Sequence, residues 1–111
     1  MTPIERRFDA IYQIGCLACR TRGWYGIQCQ AHHLNLGGKA GQKRRGNKFV
    51  IGLCPWHHVG EIPEGREEWW MLGRFGPSYK LQSRKFRAEF GTDDELLAYQ
   101  NKLIDELRAA A

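Results

Sequence analysis

Two pairs of metal-binding residue types constrain the fold of this chain most strongly. Cys16 and Cys19 are separated by two residues, and Cys54 and His57 repeat that spacing later in the chain. A two-residue gap lets a tight turn or the first turn of a helix present both side chains to one ion, and two such pairs complete a tetrahedral shell. Metal binding of this kind contributes directly to folding free energy. We therefore predict a structural Zn²⁺ site at these four residues.

The competing interpretation of these cysteines is a set of buried or redox-active thiols. A redox Cys-x-x-Cys motif would follow a strand in a βαβ pattern, which this sequence lacks. The chain has four cysteines, and Cys29 belongs to neither pair. We expect Cys29 to pack in the core as a small apolar side chain, with replacement of His57 in the zinc shell as the alternative.

Length and composition fit one small domain over residues 1–111. The chain is 42% hydrophobic, which is ordinary for a protein with one modest core. No apolar run approaches the roughly 20 residues that span a bilayer, and the charged N-terminus does not resemble a secretion signal. We expect a cytoplasmic monomer with no membrane contact.

Capping motifs and apolar periodicity predict three helices. Thr2-Pro3-Ile4-Glu5 is a capping box that opens a helix over residues 3–14. Residues 83–90 form a short helix, and a second capping box at Thr92 opens a helix that ends near Arg108. The apolar positions expected to face the core are Ile4, Phe8, Ile11, Tyr12, Leu96, Leu97, Leu103, Ile104 and Leu107.

The middle of the chain predicts a two-stranded ribbon followed by a short helix. Residues 28–34 and 48–53 have strand-like patterns, with Ile27, Cys29 and Ala31 expected on one face. A short helix can start at Trp56, and residues 63–76 are expected to form a helical turn or two against the core. The predicted fold class is α+β, with N- and C-terminal helices flanking a small zinc-stabilised core.

A basic, glycine-rich loop joins the two predicted strands. Residues 37–48 hold five cations and no acid, in a chain whose formal net charge is +5. Such a loop suits phosphate contacts with DNA, although a solvated surface loop would have the same composition. The predicted DNA-binding residues are Lys39, Lys43, Arg44, Arg45 and Lys48.

All four histidines occur as adjacent pairs, at His32-His33 and His57-His58. If His57 completes the zinc shell, His58 begins a helix facing elsewhere, and His32-His33 ends a strand. A strand end beside a helix start can hold a metal that polarises a phosphate, next to an imidazole that deprotonates water.

These motifs together resemble the HNH (ββα-metal) endonucleases. The Cys-x-x-Cys pair, the His-His strand end and Leu53-Cys54-Pro55-Trp56-His57-His58 carry the likeness. The later segments Gly76-Pro77-Ser78, 86–91 and 95–97 extend it to the phage recombination-enhancement, RecA-dependent nucleases. The resemblance implies a DNA endonuclease that is encoded by a phage or prophage and acts in a bacterial host cell, with a RecA-type recombinase filament as its partner.

The resemblance also implies a role for each histidine. His32 and His58 would bind a catalytic Mg²⁺ or Mn²⁺, and His33 would be the general base. Asn47 is the candidate for orienting that base, with Asn35 as the alternative.

The sequence departs from the family pattern at Ile62, where many HNH proteins place another metal-binding His or Asn. A side chain from Ser78, Gln82 or Ser83 could complete the shell, or only two protein ligands bind the metal.

A non-catalytic, zinc-stabilised nucleic-acid-binding module is the alternative function. A protein–protein adaptor would explain neither the paired histidines nor the basic loop.

Overall fold

The computed structural model describes residues 1–35 and 46–110. Within these residues an antiparallel two-stranded sheet packs among helices, which confirms the α+β prediction. No helix in the described ranges is long and apolar enough to cross a lipid bilayer. The elements are α1 (Pro3–Ile14), α2 (Leu17–Thr21), β1 (Gln30–His33), β2 (Val50–Leu53), α3 (Pro55–Val59), α4 (Glu68–Phe75), α5 (Ser83–Phe90) and α6 (Asp93–Ala110).

Helix α1 begins at the capping box that the sequence predicts. The side chain of Thr2 accepts the backbone N–H of Glu5, and the Glu5 carboxylate accepts the N–H of Thr2, which completes the predicted capping box. Ile11 is fully buried, but Tyr12 is 52% exposed, so the prediction that Tyr12 faces the core was wrong. The helix packs on the sheet and on α6, and Tyr12 lies outside the arc that these contacts cover.

The sheet is shorter than the sequence pattern predicts. Gln30 pairs with Leu53 and His33 pairs with Val50, so neither strand reaches the full lengths of 28–34 and 48–53. Ile27 precedes β1 and is 40% exposed, so it does not share a strand face with Ala31 as expected. Its carbonyl instead accepts the N–H of Cys16 at 2.9 Å, in an irregular segment where strand alternation does not apply.

A glutamine side chain of α6 pairs with the outer edge of β2. Gln100 is fully buried, and its Oε1 accepts the N–H of Gly52 at 2.9 Å while its Nε2 donates to the carbonyl of Val50 at 2.6 Å. These are the backbone groups that a neighbouring strand would satisfy. The residues of α6 that we predicted to face the core are buried, except that Leu107 is only partly buried.

The two helices after the sheet also differ from prediction in detail. Helix α3 begins at Pro55 rather than Trp56, because Cys54 caps it, and proline is favoured at a first helical position. Helix α4 buries Met71, but Trp69 is 70% exposed and its indole donates to the carboxylate of Glu67. The prediction that this segment packs on the core was therefore wrong for Trp69.

We predict that Gln100→Leu lowers the free energy of unfolding by about 2–4 kcal/mol, because the backbone groups of Gly52 and Val50 lose their buried partners. Urea denaturation followed by circular dichroism measures this change. Lys102→Leu, an exposed substitution on the same helix, should change it by less than about 0.5 kcal/mol. Equal stability of the two variants would contradict the edge-pairing role of Gln100.

Candidate metal centre and active site

Four buried ligand groups converge at the start of two short helices. The ligand atoms of Cys16, Cys19, Cys54 and His57 all lie within 4.8 Å of one another. Cys16 caps α2 and Cys54 caps α3. In each cap the sulfur accepts the N–H three residues later, at 3.4 Å from the Cys19 nitrogen and 3.5 Å from the His57 nitrogen. The sequence spacing therefore produces two matching knuckles that face each other.

The distances within this cluster fit a tetrahedral zinc shell. The sulfurs of Cys16 and Cys19 lie 3.5 Å from His57 Nδ1, and that of Cys54 lies 3.2 Å from it. The sulfurs of Cys19 and Cys54 are 3.9 Å apart. Zinc–ligand bond lengths in a tetrahedron place sulfur about 3.5 Å from nitrogen and about 3.8 Å from sulfur. The cluster could therefore bind a metal ion such as zinc.

A backbone carbonyl orients the imidazole of His57 for this role. Its Nε2–H donates to the carbonyl of Phe75 at 2.8 Å, and the ring of Phe90 packs edge-on at 5.2 Å between centroids. Placing the proton on Nε2 leaves the Nδ1 lone pair directed at the three sulfurs, as a metal ligand requires.

The acid–base properties of the four cluster residues also favour the binding of a metal cation. Burial alone would lower the pKa of His57, but hydrogen bonds and charge from Cys16 and Cys54 outweigh it and raise the pKa to about 10. Hydrogen bonds from Cys16 and Cys19 lower the pKa of the Cys54 thiol, whereas hydrogen bonds to Cys16 and Cys54 raise that of Cys19. Thiolates this close compete for protons, and a divalent ion would displace those protons.

The structure places Cys29 in the core, outside the cluster. The side chain is buried, and its thiol donates to the carbonyl of Ile11 at 3.5 Å. Burial raises the pKa of this thiol to about 11. Cys29 therefore behaves as a small apolar residue and does not replace His57.

A second constellation of side chains, made of His32, His58 and the residues that contact them, forms where β1 meets α3. The rings of His32 and His58 lie 4.9 Å apart between centroids, and both side chains are half-buried. His58 Nδ1–H donates to Gln30 Oε1 at 2.9 Å, which leaves Nε2 as the atom able to bind a metal. Burial, with a smaller contribution from the charge of Lys80, lowers the pKa of His58 and so favours its neutral, ligating form.

The ring of Tyr79 packs against the ring of His32. The two ring centroids lie 4.5 Å apart, and the Tyr79 hydroxyl donates to Asp93 Oδ1 at 2.8 Å and accepts from Arg87 at 3.1 Å. Burial and the Asp93 carboxylate raise the pKa of Tyr79 to about 12. Its backbone N–H donates to the carbonyl of His57 at 2.8 Å, so Tyr79 contacts both constellations.

His33 occupies the end of β1, on the side opposite His32 as strand alternation requires. Its ring lies 6.2 Å from that of Phe8 on α1. Its Nε2 lies 3.3 Å from Asn47 Oδ1, an exposed side chain in the turn before β2. Asn47 is thus brought to His33, as the proposed pairing of these residues requires.

The remaining predicted site residues divide into three groups. Lys48 is exposed and directly follows Asn47 in the chain. The side chains of Ser78 and Gln82 hydrogen-bond within their own turn, to the N–H groups of Leu81 and Ser78 at 3.1 and 2.9 Å. Four predicted DNA-binding residues lie outside the described residues: Lys39, Lys43, Arg44 and Arg45.

Sequence reasoning missed two residues of the second constellation. Gln30 precedes His32 by two residues, and strand alternation could have placed both side chains on one face. The sequence around Tyr79 carries no comparable signal, because its contact with His32 joins it to a strand far away in the chain.

We predict that Cys16→Ala abolishes tight binding of Co²⁺, a spectroscopic substitute for zinc, and lowers the unfolding temperature, because one of four ligands is lost. Cys29→Ala is the matched control, since it removes a buried thiol outside the cluster. It should retain the absorption bands of tetrahedral Co²⁺. Loss of those bands in both variants, or in neither, would contradict the assignment of the cluster.

Comparison with known protein families gives a match over most of the chain. A sequence model of the family described as recombination enhancement, RecA-dependent nuclease matches residues 2–105, which includes both constellations and α1 to α5. No curated protein matches the chain. The chain belongs to the recombination-enhancement, RecA-dependent nuclease family.

Proposed function

We propose that this protein is a metal-dependent DNA endonuclease of the HNH (ββα-metal) type. The observation that carries the proposal is the convergence of His32 from β1 and His58 from α3, with ring centroids 4.9 Å apart, next to a strand end that bears His33. Family membership supports phosphodiester hydrolysis as the reaction. The order strand, strand, helix supports the HNH type.

His32 and His58 would hold the catalytic divalent ion. Mg²⁺ or Mn²⁺ bound there would stabilise negative charge on the scissile phosphate and on the leaving oxygen. Gln30 fixes the tautomer of His58 through the 2.9 Å hydrogen bond, and Tyr79 restrains the ring of His32. Both ligands are thus oriented by neighbours, which is how protein metal sites maintain affinity.

His33 would be the general base. With Asn47 Oδ1 as its acceptor at 3.3 Å, His33 Nε2 carries the proton, and Nδ1 is left to accept a proton from water. Imidazole can accept and release a proton near neutral pH. Asn47 would hold the ring in this tautomer and orientation.

The Cys₃His cluster would bind structural zinc and position the catalytic residues. His57 and His58 are consecutive on α3, so fixing the first at a metal fixes the backbone that presents the second. The chemistry would then occur beside the zinc site, with the cluster itself closed to substrate by its burial.

DNA and a recombinase filament are the proposed partners. The basic segment that includes Lys48 would contact the phosphate backbone through charge, and the family description points to dependence on RecA. A monomer acting in the bacterial cytoplasm, where such filaments form, is consistent with this function.

We predict that His33→Ala lowers the cleavage rate by at least about 100-fold, because the water loses its proton acceptor. Plasmid and single-strand cleavage with Mg²⁺ or Mn²⁺, with and without a recombinase filament, measures the rate. Bound zinc and unfolding temperature should match those of the parent chain. DNA binding without cleavage by the parent chain under every condition would favour the non-catalytic zinc-stabilised module instead.

We predict that Gln30→Ala weakens the apparent affinity for Mn²⁺ by about 10–100-fold, because His58 loses the acceptor that fixes its tautomer. The cleavage rate at saturating Mn²⁺ should change much less. Gln28→Ala, an exposed glutamine two residues earlier, is the matched control. Identical Mn²⁺ dependence of the two variants would contradict the role of Gln30 in orienting His58 as a metal ligand.

A further inference from the structure

An open apolar groove lies between α3, α4 and the segment that precedes β1. Its volume is about 530 Å³. Two glutamates, Glu61 and Glu64, also line it, and we refer to it as the acid-rimmed groove. Its main apolar lining residues are Trp24, Ile27, Trp56, Ile62, Met71 and Phe75.

Two aliphatic side chains of the groove remain in contact with water. Ile27 is 40% exposed and Ile62 is 38% exposed. Each comes from an irregular segment, and together they present apolar surface around a concave site. Covering such a surface with another apolar group is favourable, because apolar area leaves water.

The charged residues that line the groove are acidic, whereas the net charge of the chain is +5. A cation borders the groove, Arg74, whose guanidinium lies 5.3 Å from the ring centroid of Trp24. The two lining carboxylates, Glu61 and Glu64, are exposed. Such a rim repels DNA phosphates and complements a cationic protein surface.

The groove is also separate from the proposed catalytic residues. Cys19 and Cys54 of the metal cluster contribute to its lining, but His32, His33 and His58 do not. The contacts of His58 and His32 run to Gln30 and Tyr79 instead. An occupant of the groove would therefore leave the catalytic constellation open to DNA.

We propose that the acid-rimmed groove docks a subunit of a DNA-bound, RecA-type recombinase filament, through a protein segment that carries bulky apolar side chains beside Lys or Arg. This inference rests on the proposed function, since it assigns a surface to the filament that the nuclease requires. A nuclease that acts on filament-bound DNA needs one surface for DNA and another for protein. The groove has the charge and apolar character of the second.

The test measures binding of the zinc-loaded chain, carrying His33→Ala to prevent cleavage, to a recombinase filament on single-stranded DNA. The variant Glu61→Gln/Ile62→Ser/Glu64→Gln should bind the filament about tenfold more weakly or worse, because interface anchors are lost. Its affinity for naked single-stranded DNA should not fall. Removing two negative charges by itself strengthens attraction to DNA, so a loss of filament binding cannot come from weaker attraction to DNA.

Asp105→Asn/Glu106→Gln on α6 is the matched control, because it changes the net charge equally at exposed positions away from the groove. It should keep the filament affinity within about twofold. An unchanged affinity in the groove variant, an equal loss in the control, or no binding by the chain with an intact groove would overturn the proposal. A groove variant that instead dissociates a dimer of this chain in analytical ultracentrifugation would assign the groove to self-association and also overturn it.

Binding and cleavage remain separate readouts in this design. Groove-dependent filament binding by a chain that never cuts DNA would defeat the proposed nuclease function while leaving the docking surface intact. Cleavage by a chain whose groove variant binds the filament normally would do the reverse.

Discussion

Two knuckles, Cys16–Cys19 and Cys54–His57, converge at one buried point of the fold. Cys16 and Cys19 belong to the segment after α1, whereas Cys54 and His57 belong to the segment after β2. Their ligand atoms lie within 4.8 Å of one another and join the two segments at the end of the sheet where Gln30 pairs with Leu53. In a chain of 111 residues, the hydrophobic core alone supplies modest stability, so a bound metal at this junction would contribute much of what holds α2 and α3 in place.

The proposed catalytic residues are linked to that junction by short contacts. His58 is the residue after His57, and the N–H of Tyr79 donates to the carbonyl of His57 while its ring packs on His32. A displacement of the knuckle would therefore move both proposed ligands of the second metal. Gln100 acts from the other side, because it satisfies the outer edge of β2 and so keeps the strand that pairs with His32 and His33 in register.

Local signals in the sequence predict part of this arrangement. The capping box at Thr2 and the two-residue spacings of the cysteine pairs depend on neighbours within one turn, so they can be recognised from sequence. The roles of Tyr79 and Gln100 depend on contacts between distant segments, which no local pattern encodes. The predicted strand lengths were also wrong. The pairing of β1 and β2 ends where the backbone becomes irregular before Gln30, and a pattern of alternating apolar residues does not reveal where that happens.

The Cys₃His cluster and the proposed catalytic site would be two chemically distinct metal sites, one closed and one open. Anomalous X-ray diffraction from crystals of the zinc-loaded protein soaked in Mn²⁺ tests this assignment most directly. We expect a zinc signal among Cys16, Cys19, Cys54 and His57, and a separate manganese signal between His32 and His58. A manganese signal absent from His32 and His58, or a zinc signal anywhere other than the cysteine cluster, would contradict it.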